Sequence, residues 1–180
     1  RAVILPGAGE SFCAGADLGG LQEQMAADSA TRAAGARRLA LMLRAWNDLP
    51  KPLIGRINGP AYGGGLGLIA VCDVAIATES AVFAFSETRL GIIPATIGPY
   101  VVTRMGEARA REVFFSARRF SAPEAVRLGL VAGTATDLDA ATETEVTPYL
   151  ATSPAAVARA KALVRSLGAQ IDDTVIDRTA

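Results

Sequence analysis

The chain has 180 residues, 51% apolar and 20% charged, with 18 Lys+Arg balanced by 18 Asp+Glu. That length suits one domain with a sizeable core. The even charge offers no basic footprint for nucleic acid and no polybasic tract for a membrane surface. Histidine is absent, which excludes Ser-His-Asp catalysis and a His-ligated metal site within these residues.

In chain order, Ala2-Val3-Ile4-Leu5 predicts a buried strand and Pro6-Gly7-Ala8-Gly9-Glu10 a turn. Ser11 to Leu18 is a second strand end running into small residues. Gly19 to Asp28 is polar, either loose or the start of a helix covering a ligand. From Thr31 to Asp48, residues Leu39, Met42, Leu43, Trp46 and Leu49 recur at helical spacing, and Pro50 stops the helix. The Met–Trp stripe predicts core. Pro52 to Ile57 predicts a strand, roughly 64–71 a helix, and Asp73 to Ala77 and Val82 to Phe85 two further strands.

Ser121-Ala122-Pro123-Glu124 fits a capping box, Gly129 ends the helix that follows, and Leu130-Val131-Ala132 predicts an extended return. Ser153-Pro154 opens another helix, Ala155 to Leu167, capped by Gly168. Strands alternating with helices and then giving way to helices predict an α/β core with a helical C-terminal part. Cys13 and Cys72 lie far apart in apolar runs, without metal-ligand spacing, and predict buried, reduced thiols of a cytosolic protein. The opening Arg1-Ala2-Val3-Ile4-Leu5-Pro6 lacks a signal-peptide apolar core. The longest uncharged run, Ile57 to Cys72, is 16 residues and glycine-rich, short of a membrane span.

The most informative stretch is Asn58-Gly59-Pro60-Ala61-Tyr62-Gly63-Gly64-Gly65-Leu66-Gly67-Leu68. Glycines between a strand and a helix bring unpaired N–H groups, at the positive end of the helix dipole, close to any bound oxygen. A phosphate or an enolate would suit such a turn; so would plain tight packing. The small-residue loop Ala14-Gly15-Ala16 adds a second strand end with free N–H groups, and two such loops could aim two donors at one oxygen.

Five segments stand in a specific order: FCAGADL at 12–18, KPLIGRINGPAYGGGLGL at 51–68, CDVAIA at 72–77, FAFSETRLGIIP at 83–94 and FSAPEAVRLGLV at 120–131. Together they resemble the crotonase, or enoyl-CoA hydratase/isomerase, superfamily. The resemblance implies a crotonase-like ββα spiral core over 1–136 that holds an acyl-CoA site. It also implies the start of a helical oligomerisation region over 137–180, assembling trimers or hexamers. Family members carry a further strand–helix unit before FCAGADL, so the resemblance implies that an N-terminal unit is missing.

The resemblance assigns roles residue by residue. Glu87 matches the family's catalytic glutamate; by itself it would equally be a solvated loop carboxylate or a partner for Arg89. Its apolar flanks would raise its pKa and suit it to acid–base work. Ala16 and Gly64 match the oxyanion-hole residues, whose N–H groups would bind the thioester oxygen. Ala14, Asp17, Leu18 and Gly67 would join them against the acyl-CoA, although Asp17, like Asp73, also reads as a structural carboxylate bonded to nearby N–H groups. Coenzyme A belongs to the substrate, so no separate cofactor and no metal is expected. Tyr62 predicts core packing or, as the lesser alternative, a contact to the acyl chain, and the Arg104, Arg109, Arg111, Arg118 and Arg119 set a solvated face, subunit salt bridges or a contact to CoA phosphates.

One position departs from the pattern. Hydratases of the superfamily usually read GGGxE, with a second glutamate that handles the water; this chain has Gly67 there. The substitution predicts open space for a bulkier or branched acyl group. The segment Leu90 to Tyr100 resembles hydratases of branched glutaconyl-type substrates. The leading expectation is a cytoplasmic lyase of fatty acid metabolism that hydrates a 2-enoyl-CoA. A Δ3-Δ2 enoyl-CoA isomerase, needing one base, is the runner-up, and a non-catalytic acyl-CoA-binding subunit is the third.

Overall fold

The computed structural model describes residues 1–17, 19–20 and 26–180. Leu18 lies outside the described residues, as does part of the polar stretch from Gly19 to Asp28. Along the chain run β1 (Val3–Pro6), α1 (Ser29–Asn47), β2 (Leu53–Ile57), β3 (Ala61–Tyr62), α2 (Gly64–Ala70), β4 (Val74–Thr78) and β5 (Val82–Ala84). A 3₁₀ turn (Glu87–Leu90) leads to α3 (Gly98–Met105), α4 (Glu107–Phe114), β6 (Phe120–Ser121), α5 (Ala122–Arg127) and β7 (Gly133–Ala135). The helices α6 (Leu138–Leu150), α7 (Pro154–Leu167) and α8 (Asp173–Thr179) complete it.

The strands form two sheets. One is fully parallel, in the order β1-β2-β4-β7; the other has the order β3-β5-β6. Consecutive strands alternate between sheets and a helix then closes the turn: β2 and β3 precede α2, while β4 and β5 precede the 3₁₀ turn and α3. This repeated ββα winding is the spiral that the resemblance implied. Leu53, Ile54 and Ile57 of β2 are fully buried, as expected of a central parallel strand covered on both faces. Phe83, Phe85 and Phe120 stack at the other sheet, with Phe83–Phe120 centroids 5.6 Å apart.

Several expectations need correction. Among the described residues β1 pairs with β2 alone, and Ile4 is 44% exposed rather than buried. In α1 the buried face is Ala40 and Leu43; Met42 is 38% exposed and Leu39 sits beside it, since both lie off the narrow stripe that meets the core. Trp46 is only partly buried against that core. The extended return falls at Gly133–Ala135, three residues later than predicted, where it pairs with β4. Half of the capping box forms: Ser121 Oγ accepts from the Glu124 N–H at 3.4 Å. The Glu124 carboxylate turns instead to Arg118, in a two-pronged pair at 3.0 and 2.7 Å.

Arg104 is no solvated cation. Its guanidinium donates to the carbonyls of Leu130 (2.6 Å) and Cys72, tying α3 to the sheet from inside. Asp73 is structural as expected, accepting from the Leu53 N–H at 2.7 Å, and it also pairs with Lys161 at 2.6 Å. Cys72 is buried and Cys13 only half-buried; both are free thiols. No helix among the described residues is long and apolar enough to cross a membrane.

Candidate active site

Three segments converge beside the β3 end of the smaller sheet. Cys13 forms a parallel bridge to Ala61, and the Tyr62 N–H donates to the Cys13 carbonyl at 2.9 Å. The Gly63 N–H donates to the Ala84 carbonyl at 3.1 Å. The loop carrying Ala14, Ala16 and Asp17, the turn carrying Gly64, and the segment carrying Glu87 are thereby laced side by side.

Glycines make the close approach possible. Gly63 has φ +52°, a left-handed conformation that disfavours a side chain. A Cβ on Gly65 would come within 2.7 Å of the Cys13 Cβ, so only hydrogen lets α2 start against the first loop. Gly64 opens α2, and a Cβ there would meet nothing within 4 Å. Its N–H is among the first-turn groups that a helix leaves unpaired. Among the described residues neither the Ala16 nor the Gly64 N–H has a backbone or side-chain acceptor.

Glu87 starts the 3₁₀ turn and carries the one buried side-chain polar atom without a partner among the described residues, its Oε2. Its other carboxyl oxygen, Oε1, would lie 3.3 Å from a Cβ on Gly63, one residue before Gly64. Burial raises its pKa above the ordinary glutamate value, and its own N–H offsets this only in part. A carboxyl whose pKa is raised by burial, packed against Gly63 and one residue from the unspent Gly64 N–H, is equipped to give and take a proton at an atom adjacent to a stabilised oxygen. Cys72 is no alternative nucleophile, because burial pushes its thiol up to about 12.

The sequence profile of the enoyl-CoA hydratase/isomerase family matches residues 1–178. The chain belongs to that family. An enoyl-CoA hydratase of Alternaria alternata is 35% identical over 168 residues, covering 91% of this chain and 54% of that protein. A Bacillus subtilis protein named as an enoyl-CoA hydratase/isomerase is 45% identical over 136 residues, covering 73% of this chain and 50% of its own length. The crystal structure of an enoyl-CoA hydratase from Shewanella pealeana superimposes with a TM-score of 0.91 at 39% identity, over 99% of this chain and 68% of that one. The chain thus spans about half the length of the curated relatives it matches.

Within this family member, Gly64 and Glu87 meet through Gly63, and the loop carrying Ala14 and Ala16 lies against the Tyr62–Gly65 turn; Asp17 makes a local bond, accepting from the Gly20 N–H at 2.8 Å. Leu18 lies outside the described residues. Gly67 is the correction. It does not leave space: a Cβ there would fall 2.5 Å from the Ile97 Cγ2 and 3.4 Å from the Leu43 Cδ1. Ile97, itself 2% exposed, fills the place that a longer residue at 67 would need. Ile97 was invisible as a partner from sequence, since 30 positions separate it from Gly67; only its apolar context hinted at burial.

Beyond Glu87 lies an apolar cavity of about 640 Å³, lined by Thr88, Ile93, Pro94, Val102, Phe115 and Val175 among others. Two of its lining residues are linked: Thr88 Oγ1 donates to the Phe115 carbonyl at 3.5 Å.

Proposed function

We propose that the whole protein adds water across the 2,3 double bond of a 2-enoyl-CoA. The observation that carries this reading is the buried, unpartnered Glu87 carboxyl against Gly63, one residue from the unspent Gly64 N–H and laced to the Ala16 loop. Ala16 and Gly64 donate to the thioester oxygen and stabilise the enolate that forms as the β-carbon accepts the hydroxyl. Glu87 passes the proton to the α-carbon and holds the water. Coenzyme A is the substrate's own carrier and no further cofactor takes part. The apolar cavity receives the acyl tail, and part of the Leu90 to Tyr100 segment, which resembles hydratases of branched glutaconyl-type substrates, lines it. Two relatives are named carnitinyl-CoA dehydratase, 39% identical over 132 residues, which is a branch of the same water chemistry.

Incubation with a panel of 2-enoyl-CoA thioesters tests this by the mass gain of one water. Thioester binding with no hydrated product from any of them would sink hydration. One observation favours the second reading, a Δ3-Δ2 isomerase: Ile97 occupies the place of a second carboxylate, leaving Glu87 as the single base. A 3-enoyl-CoA converted to a 2-enoyl-CoA, without a hydroxyacyl product from either, would select it. A non-catalytic binding subunit is disfavoured by the intact Glu87.

The exposed apolar side chains of α7, including Val164 at 70% and Leu167 at 80% exposure, support assembly into a trimer or hexamer. A stable monomer by light scattering at micromolar concentration would contradict it. Two free thiols suit a reducing cytoplasm.

A further inference from the structure

Arg119 sits over the ring of Tyr62, its guanidinium carbon 6.0 Å from the ring centroid. Sheet register explains how residues so distant in sequence meet. Tyr62 is paired with Ala84 across β3 and β5, and β6 runs antiparallel to β5 with Phe83 opposite Phe120. Arg119 immediately precedes β6, and extending that register by one position would set it opposite Ala84. Tyr62, Ala84 and Arg119 would then form one row, in which a small central alanine leaves room for the outer two to meet.

Arg119 is held on both sides. Arg118 is locked to Glu124 by two hydrogen bonds, and Phe120 is buried in the core. Ala117, 1% exposed, is the single non-glycine residue with positive φ (+48°) among the described residues. Such a conformation persists only where the surroundings impose it. No carboxylate pairs with Arg119 among the described residues, so the Tyr62 ring is its recorded partner.

Tyr62 is in turn the node of the two donor loops. Its N–H bonds the Cys13 carbonyl, its carbonyl and Cβ lie 3.5 and 3.8 Å from where a Gly15 Cβ would be, and it leads directly into Gly63-Gly64. We infer that Arg119 is a positioning residue: by capping the Tyr62 ring it fixes the spacing between the Ala16 and Gly64 N–H groups. This inference rests on the reading of those two groups as thioester donors.

Two measurements on the whole protein separate the inference from that reading. A 2-butenoyl-CoA isotope-labelled at the thioester carbonyl, bound to the protein, reports the donors through its C=O stretching frequency. Arg119→Ala is expected to lose much of the downshift and about tenfold in kcat, with the thioester Kd nearly unchanged. Arg119→Lys should recover much of both, because an ammonium also sits on an aromatic face. Tyr62→Phe should behave as the parent and Tyr62→Leu as Arg119→Ala. Amide exchange at Tyr62 and Gly63 reads the clamp without any thioester and should speed up about tenfold in Arg119→Ala, while β2 is unaffected.

A raised KM with unchanged kcat, carbonyl frequency and exchange would mean that the guanidinium contacts substrate, and would overturn the inference. Unchanged behaviour in every measurement would overturn it as well. A parent protein that shows no carbonyl downshift, yet shows Arg119-dependent exchange, would sink the thioester reading and keep the clamp.

Discussion

Gly64 and Gly67 lie on one short helix, three residues apart, and are glycines for opposite reasons. At Gly64 a Cβ would stand in open space; at Gly67 it would strike Ile97 and crowd Leu43. The first position leaves a backbone N–H that an oxygen can approach, whereas the second needs the absence of a side chain so that α3 can pack on α2. The open glycine fits the proposed thioester site, and the closed glycine belongs to the core. The missing second glutamate is thus an apolar contact between helices, and not a vacancy in the site.

The largest effect should come from the group facing the open side. Glu87→Gln keeps the shape but cannot exchange a proton, and turnover is expected to fall about 10²–10⁴-fold while CoA-thioester binding persists. Unchanged turnover in an active preparation would remove Glu87 from the chemistry. Next, Gly64→Pro deletes the N–H at the first helical position, where proline is tolerated, and should cost about 10²–10³ in kcat. Gly64→Ala, with room for its Cβ and its N–H intact, should leave kcat near the parent value. Equal losses in the two variants would break the comparison, because Gly64 would then be a packing glycine too.

On the closed side, Gly67→Ala overpacks the helix contact and should destabilise the fold by about 1–3 kcal/mol in denaturant unfolding. Ile97→Ala in the same chain should return part of that loss, giving a non-additive pair. Additive losses would mean that Ile97 is not what closes the position. The smallest effect is a pH dependence of stability. Burial raises the Glu87 pKa above its unfolded value, so the folded state holds the proton more tightly. The stability contributed by protonated Glu87 is complete below the ordinary glutamate pKa and is lost as pH rises through the higher folded value. Glu87→Gln should therefore unfold at a slightly higher temperature than the parent near pH 8, and the advantage should vanish near pH 4.

Local chemistry made most of the fold legible. The strand at 53–57, the glycine turn, the helix beginning at Gly64 and the Ser121 and Ser153 caps depend on residues a few positions apart, and each appears where the sequence places it. The ordered motifs carried the family and singled out Ala16, Gly64 and Glu87. β1 was misjudged because burial of a strand depends on having neighbours on both sides, and among the described residues β1 has only one. The stripe on α1 was read too wide for a similar reason: helical spacing gives the apolar face, but the partner decides how much of it is covered.

What the sequence determined by itself was therefore the set of elements, their order and the family, since turn geometry, capping and motif order are short-range properties. The tertiary structure alone decided what each glycine is for, which oxygen of Glu87 is stranded, and that Arg104 is an internal strut while Arg119 lies on Tyr62. Those facts depend on contacts between residues tens of positions apart, such as Gly67 with Ile97 and Tyr62 with Arg119. Such pairs are fixed by sheet register and helix packing, which no local pattern of residues encodes.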